Sequence, residues 1–306
     1  MTPEEGFKAI IKTAAEEFKK IPQNETIKLI SHLDCDGLTS CSIMIKAMNT
    51  ENRRYNVSIL QQLDKTALAE LSKEPYKYTL ITDLGSGHLS AISTMLKDKK
   101  IFVLDHHIPE STETSPNIIH VNPHLAGVDG NGEISAAGVA YLFASALNKK
   151  LEETACIAII GAIGDMQEKN GFIGLNNEIL KTALANNSIE MEKGLRIFGR
   201  QTRPLHKVLE YTTDPYIPGV TGSESGAIQF LHNLRIEPRN GAGWKKIINL
   251  NQEEMQRLIA GIIMLRANEV NPEDILGNIY TLKKEPPESP LRDAKEFATL
   301  LNACGR

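Results

Sequence analysis

Along the first half of the chain, from Ile27 to about Ile163, short apolar runs rich in Ile, Val and Leu alternate with amphipathic stretches. Runs of that length predict strands buried on both faces, joined in parallel by crossover helices. IKLISHL, YNVSIL, YTLITDL and IFVLDHH are the four clearest strand candidates. Between them, LTSCSIMIKAMN, KTALAELSK and LSAISTMLKDK repeat apolar positions at three- and four-residue spacing, the period of helices packed on a sheet. The opening MTPEEGFKAIIKTAAEEFKK is charged and amphipathic and lacks a signal peptide's apolar centre, so it predicts a surface helix. The expected class is α/β, a doubly wound and mainly parallel sheet occupying residues 1–186 together with the N-terminal helix.

Beyond that the pattern changes. Residues 187–270 show little strand signal and read as a helical extension, interrupted by the Pro- and Gly-containing DPYIPGVTGSESG. Residues 271–306 bring one apolar strand candidate, GNIYTL, a turn-prone KKEPPESP and a helical RDAKEFATLLNACGR. One strand and one helix cannot bury a core alone, so this last segment reads as the beginning of a second, truncated α/β domain.

Composition narrows the classes without choosing among them. At 306 residues, 41% apolar and 24% charged, the chain suits a large domain with a smaller companion. No stretch approaches the roughly 18 apolar residues of a membrane helix, and the expected location is cytoplasmic. Cys35, Cys41, Cys156 and Cys304 show neither C-x-x-C pairing nor zinc spacing, so disulfides and zinc are not expected. A net charge of −4 gives no global attraction to nucleic acid; binding of that kind needs a local basic patch or metal ions.

Chemistry enters at the strand ends. Three of the four strand candidates finish in acids or histidine: Asp34 and Asp36, then Asp83, then Asp105, His106 and His107. In an open parallel sheet, ligands bind outside the carboxyl ends of the strands, so these side chains are expected to converge. Asp165, after ACIAIIGAIG, is expected at the same edge from a helix end or turn. Any one such Asp is more often a helix cap or turn former; the ordered series is what points to hard divalent cations, with Mn²⁺ favoured over Mg²⁺ where imidazole joins carboxylate.

HLDCDG, the strand end at Asp83, LDHH and IGD resemble, in order, the four motifs of the DHH phosphoesterases over roughly residues 25–170. VNPHLAG with EISAAGVAYLFASAL, and SPLRDAKEFATLLNACGR, are similar to segments of the RecJ-like exonuclease branch, archaeal type. The resemblance implies two divalent cations, one on Asp34 and Asp83 with His32 as a further ligand, the other on Asp36, Asp83, His106 and Asp165. It implies that His107 contacts the scissile phosphate or leaving oxygen while Asp105 orients the histidines. One departure is plain: the Gly-Gly-His of that branch's C-terminal domain does not occur.

For the substrate, KGLRIFGRQTRPLHK supplies Arg196, Arg200, Arg203 and Lys207 near Phe198, a strip suited to a single-stranded nucleic acid backbone or, equally, to a solvated helix face. Trp244 beside Lys245 and Lys246 could stack a base, and Gly219 to Gly226 reads as a loop without a P-loop lysine. Three functions stay open: a metal-dependent exonuclease on single-stranded DNA or RNA in replication or repair; a phosphodiesterase of short oligonucleotides or cyclic dinucleotides, or a pyrophosphatase; and a replication scaffold similar to the eukaryotic helicase cofactor that binds GINS, which would lack metal ligands. Docking of an active enzyme on GINS-type replication proteins is compatible with the first.

Overall fold

The computed structural model describes residues 1–241 and 243–305, which fall into two compact units. The first contains residues 1–188 and 298–306, the second residues 189–297.

The first unit is a five-stranded parallel sheet in the order β2-β1-β3-β4-β5. The strands are β1 (Thr26–His32), β2 (Arg54–Leu60), β3 (Tyr78–Thr82), β4 (Lys100–Leu104) and β5 (Ile118–Val121). The first four match the apolar runs. The fifth, IIHV, is a four-residue strand held by pairing with β4, too short to announce itself by pattern. Helices α1 (Pro3–Lys19), α2 (Cys35–Thr50), α3 (Lys65–Lys73), α4 (Leu89–Met95), α5 (Ala136–Leu147), α6 (Ala155–Gly164) and α7 (Gly174–Ala185) complete the unit.

Alternation along the strands divides the core between the two faces. Ile101 and Val103 of β4 pack with Ile30, Ile81, Leu68 of α3 and Ile92 of α4. Phe102 lies between them in sequence and meets Phe18 of α1 edge-on at 5.3 Å; Phe18 in turn meets Phe143 of α5 at 5.5 Å. Burying three such rings anchors α1, whose start is fixed by a capping box between Thr2 and Glu5.

The second unit begins with β6 (Ile189–Leu195), where the pattern predicts helix. Its charged residues Glu190, Glu192 and Lys193 are exposed, and no apolar alternation marks it. The strand exists because it pairs antiparallel with the distant β9 (Leu276–Leu282), which contains the GNIYTL candidate. Helices α8 (Leu205–Tyr211), α9 (Glu224–Asn233) and α10 (Gln252–Leu265) and a short hairpin, β7 (Arg239–Asn240) with β8 (Gly243–Trp244), surround a core of Leu205, Val208, Leu231, Leu258 and Ile262 among others. Gly226, read as loop, lies in the first turn of α9, its N–H donating to Ser223 at 3.0 Å. The final helix, α11 (Ala294–Cys304), starts in the second unit and ends in the first.

Candidate metal centre

After β1 the chain leaves the sheet for β2 at one edge and returns to β3 on the other side of β1, making the β1/β3 gap a topological switch point. The structure brings His32, Asp34, Asp36, Asp83, Asp105, His106, His107 and Asp165 to that end of the sheet. They group as His32, Asp34 and Asp83; as Asp36, His106 and Asp165; and as Asp83, Asp105, His106 and His107, with potential ligand atoms in each group within 4.8 Å of one another.

Each side chain is placed by local structure. Asp34 caps α2, accepting from Gly37 N–H at 3.0 Å. Gly37 is obligatory here, because a Cβ would lie 2.4 Å from the His32 carbonyl oxygen. Asp36 is buried and its two oxygens accept from Ala136 and Ala137 N–H at 2.7 and 2.9 Å, so the N-terminus of α5 holds it. Asp83 follows β3 with φ of 58°, a left-handed backbone that turns its carboxylate inward at some steric cost. Asp165 caps the end of α6 and accepts from Gln167 Nε2 at 2.7 Å.

Asp105 is fully occupied by hydrogen bonds. Its oxygens accept from the N–H of Ser86 (2.9 Å), the N–H of His106 (2.8 Å) and the Nδ1 of His107 (2.8 Å). His106 donates Nδ1–H to the Gly130 carbonyl at 2.7 Å, which leaves Nε2 facing Asp83 at 3.5 Å and Asp36 at 3.8 Å as the nitrogen that would ligate a cation once deprotonated.

Five carboxylates share the site with three imidazoles, and the crowding shifts their protonation. Burial and the nearby Asp83 charge push Asp36 up, and the same two causes raise Asp165. Burial alone would lower His106, but Asp83, Asp36 and Asp165 raise it well above the ordinary range. Hydrogen bonding to Asp34 and the Asp83 carboxylate raise His32 to about 10. His107 is raised by its bond to Asp105, whose own carboxyl stays below the usual range because that bond and its backbone donors outweigh burial. One atom stands out: Asp83 Oδ2 is buried and has no hydrogen-bond partner among the described residues, its nearest cationic neighbour being His32 Nδ1 at 3.5 Å. A buried, unsatisfied carboxylate oxygen amid four further aspartates suits a divalent cation.

Several residues of the site carry no motif. Asn122, at the end of β5, donates Nδ2 to the His107 carbonyl (2.8 Å) and to Ser86 Oγ (2.9 Å). Gln167 Nε2 bonds the Gly130 carbonyl as well as Asp165, and is itself held by Asn176 at 2.6 Å. Asn302 of α11 accepts from Cys35 N–H at 2.9 Å and donates to the Gly164 carbonyl at 3.0 Å, tying the residue between Asp34 and Asp36 to the residue before Asp165.

The four basic residues expected at the substrate belong to the second unit. They do not form a free helix face. Arg200 is largely buried, bonding the Leu195 carbonyl and Glu192; Lys207 is shared by Glu210 and Glu224 at 2.9 Å each; Arg196 donates to the Asp274 carbonyl at 3.2 Å. Neither Arg196 nor Arg203 forms an ion pair among the described residues, and Arg203 lies against rings, 4.7 Å from the centre of Phe198.

Residues 26–164 match the DHH family, N-terminal domain, and residues 197–276 match the DHH-CID domain. The chain belongs to the DHH family. Protein MJ0831 of Methanocaldococcus jannaschii is 32% identical over 285 residues, covering 92% of this chain and 61% of its own length. The single-stranded-DNA-specific exonuclease RecJ of Thermus thermophilus is 24% identical over 215 residues, covering 67% of this chain and 31% of its own. The DHH-family chain thus spans about three-fifths and one-third of these two relatives. In fold it is similar to CDC45 from Entamoeba histolytica, with a TM-score of 0.69 at 14% identity over 94% of this chain and 62% of that one. Among the described residues no helix is long and apolar enough to cross a membrane.

Proposed function

We propose that this DHH-family protein hydrolyses phosphodiester bonds of single-stranded nucleic acid from an end, using two divalent cations, Mn²⁺ in preference to Mg²⁺. The observation that carries the reading is Asp83: it belongs to two ligand groups at once, and one of its buried oxygens lacks a partner. His32, Asp34 and Asp83 would hold one cation; Asp36, Asp83, His106 and Asp165 would hold the other, with Asp83 common to both. When bound, such a pair supplies Lewis acidity, a lowered pKa for water and neutralisation of phosphate charge.

The chain's own residues do the rest. Asp36, held by the α5 N–H groups, and His106, held by Gly130, present ligand atoms in one orientation. His107 spends Nδ1–H on Asp105, which leaves Nε2 of a half-exposed ring free; with its pKa raised, the imidazolium can donate to a phosphate or leaving oxygen. Its relative RecJ, a single-stranded-DNA-specific exonuclease, supports the choice of substrate.

The test is degradation of end-labelled single-stranded DNA and RNA, long and very short, with Mn²⁺, by the unaltered protein and by Asp83→Ala. Stepwise shortening of long strands, lost in the variant, is the expected result. Cleavage confined to short oligomers would favour a scavenging phosphodiesterase, and absence of metal-dependent cleavage on every substrate would sink the proposal.

A further inference from the structure

The second unit carries a surface of rings and cations that the hydrolytic centre does not use. Tyr211 is 57% exposed and Trp244 42%. Arg203 lies 4.7 Å from the ring centre of Phe198 and 5.6 Å from that of Tyr211, and Lys207 lies 5.7 Å from Tyr211. Arg239, exposed on the hairpin, lies 4.7 Å from the ring centre of Trp244, whose ring also meets His206 at 4.3 Å. Helix α8 joins the two groups: Leu205 N–H donates to the Lys245 carbonyl at 2.7 Å, His206 packs on Trp244, and the next residue, Lys207, lies over Tyr211.

The partners of these cations set them apart. Lys207, Lys245 and Lys246 are matched by Glu210 and Glu224, Glu254, and Glu288. Arg203 and Arg239 form no ion pair among the described residues. The nearby buried Glu296 is spent on Gln201 N–H and the Thr202 hydroxyl. An arginine lying on a ring keeps its full charge for a third party, whereas one paired with a carboxylate does not. The Arg203 stem is seated over Gly199, where a Cβ would come within 2.9 Å of it and where φ is +92°, so glycine at that turn lets the guanidinium reach the ring.

From this arrangement we infer that Phe198, Arg203, Tyr211, Arg239 and Trp244 form a binding surface for single-stranded nucleic acid, with the arginines on phosphates and the exposed rings stacking bases. Unpaired bases expose π-faces that exposed rings can stack, and the phosphates supply the opposite charge; a duplex hides the bases, and an acidic peptide offers charge without them. The inference rests on the nucleic acid reading above for its substrate class, but binding at this surface needs neither cations nor cleavage.

Trp244 is the chain's one tryptophan, so its emission reports directly on the surface. The experiment is a fluorescence titration of the full chain in EDTA with oligo(dT), the matching RNA, a DNA duplex and poly-glutamate, with Asp83→Ala titrated in parallel. Expected are saturable quenching by single strands, also in Asp83→Ala, and at least tenfold weaker response to duplex and poly-glutamate. Arg203→Ala and Arg239→Ala should each weaken binding several-fold and reduce the salt slope by about 0.7. Trp244→Ala, followed by anisotropy of labelled oligo(dT), should lose about 5- to 150-fold, as expected for about 1–3 kcal/mol per stacked base. Unchanged Trp244 emission with every single strand at low salt overturns the inference, as does poly-glutamate binding as tightly as oligo(dT), or retained affinity in both arginine variants. If quenching occurs but Mn²⁺-dependent cleavage does not, the hydrolytic reading fails while this surface stands; cleavage without quenching is the reverse.

Discussion

Asp83 combines an unfavourable backbone angle, complete burial and an unpartnered oxygen, three costs that a folded protein tolerates together only where something else is gained. Asparagine tolerates the left-handed region as aspartate does, so Asp83→Asn should fold and isolate the loss of charge. The unaltered chain should gain about 2.7 kcal/mol of stability at roughly a hundredfold excess of Mn²⁺ over its Kd, visible as a rise in Tm, and Asp83→Asn should show almost none of that rise. His32 makes a second prediction at this scale. Its folded pKa is raised from 6.5 to about 10 by Asp34 and Asp83, so in the metal-free chain its contribution to stability is complete below about pH 6.5 and disappears as pH climbs through 10. A cation ligand must be neutral imidazole, so binding expels that proton and Mn²⁺ affinity should rise with pH from 6 to 9. Calorimetry in two buffers of different ionisation enthalpy should reveal proton release; identical apparent enthalpies would contradict the assignment of His32.

At the scale of elements, three helices meet behind the segment that carries Asp34 and Asp36 with no room to spare. A Cβ at Gly161 of α6 would lie 2.4 Å from Thr39 Oγ1, 2.5 Å from Ala137 and 2.6 Å from Asp36 Oδ1. Gly161→Ala should therefore cost about 1–3 kcal/mol by overpacking and should also weaken Mn²⁺ binding, although residue 161 offers no ligand. A variant with lowered Tm but unchanged affinity would show that Asp36 is less tightly held than its bonds to α5 indicate. Packing of this kind also explains what is legible in the sequence. Strands β1, β3 and β4 can be read because they are buried on both faces, the largely exposed edge strand β2 only from its apolar residues, and the acids at the strand ends because the sheet's geometry collects them. Residues such as Asn122, Gln167, Asn302 and the Gly130 carbonyl escape because amides and backbone oxygens occur everywhere, and only proximity in space gives them a role. Strand β6 escapes for a related reason: its pairing partner lies more than 80 residues away, and its exposed charges erase the alternation.

For the whole molecule, a net charge of −4 means that attraction to a polyanion must be local. The proposed cation ligands lie in the first unit and the arginine-bearing rings in the second, so two dependences should separate. Raising salt from 50 to 200 mM should weaken binding of single strands steeply while leaving Mn²⁺ affinity nearly unchanged, since the buried aspartates are poorly screened. Parallel loss of both would mean that one centre serves both ligands. The basic strip shows the limit of reading charge from sequence: Arg200 and Lys207 look available in one dimension, and Glu192, Glu210 and Glu224 claim them in three.

Asn302 gives the fold an order in time. Cys35, between Asp34 and Asp36, and Gly164, before Asp165, receive their shared tether from a side chain 138 positions beyond the second of them. During synthesis, at about 5–20 residues per second, the sheet can assemble on the ribosome long before that amide emerges. A nascent chain would then display the aspartates without their last restraint. The loop that gathers them would settle only after residue 302 has left the exit tunnel, making this centre a late event in the protein's biogenesis.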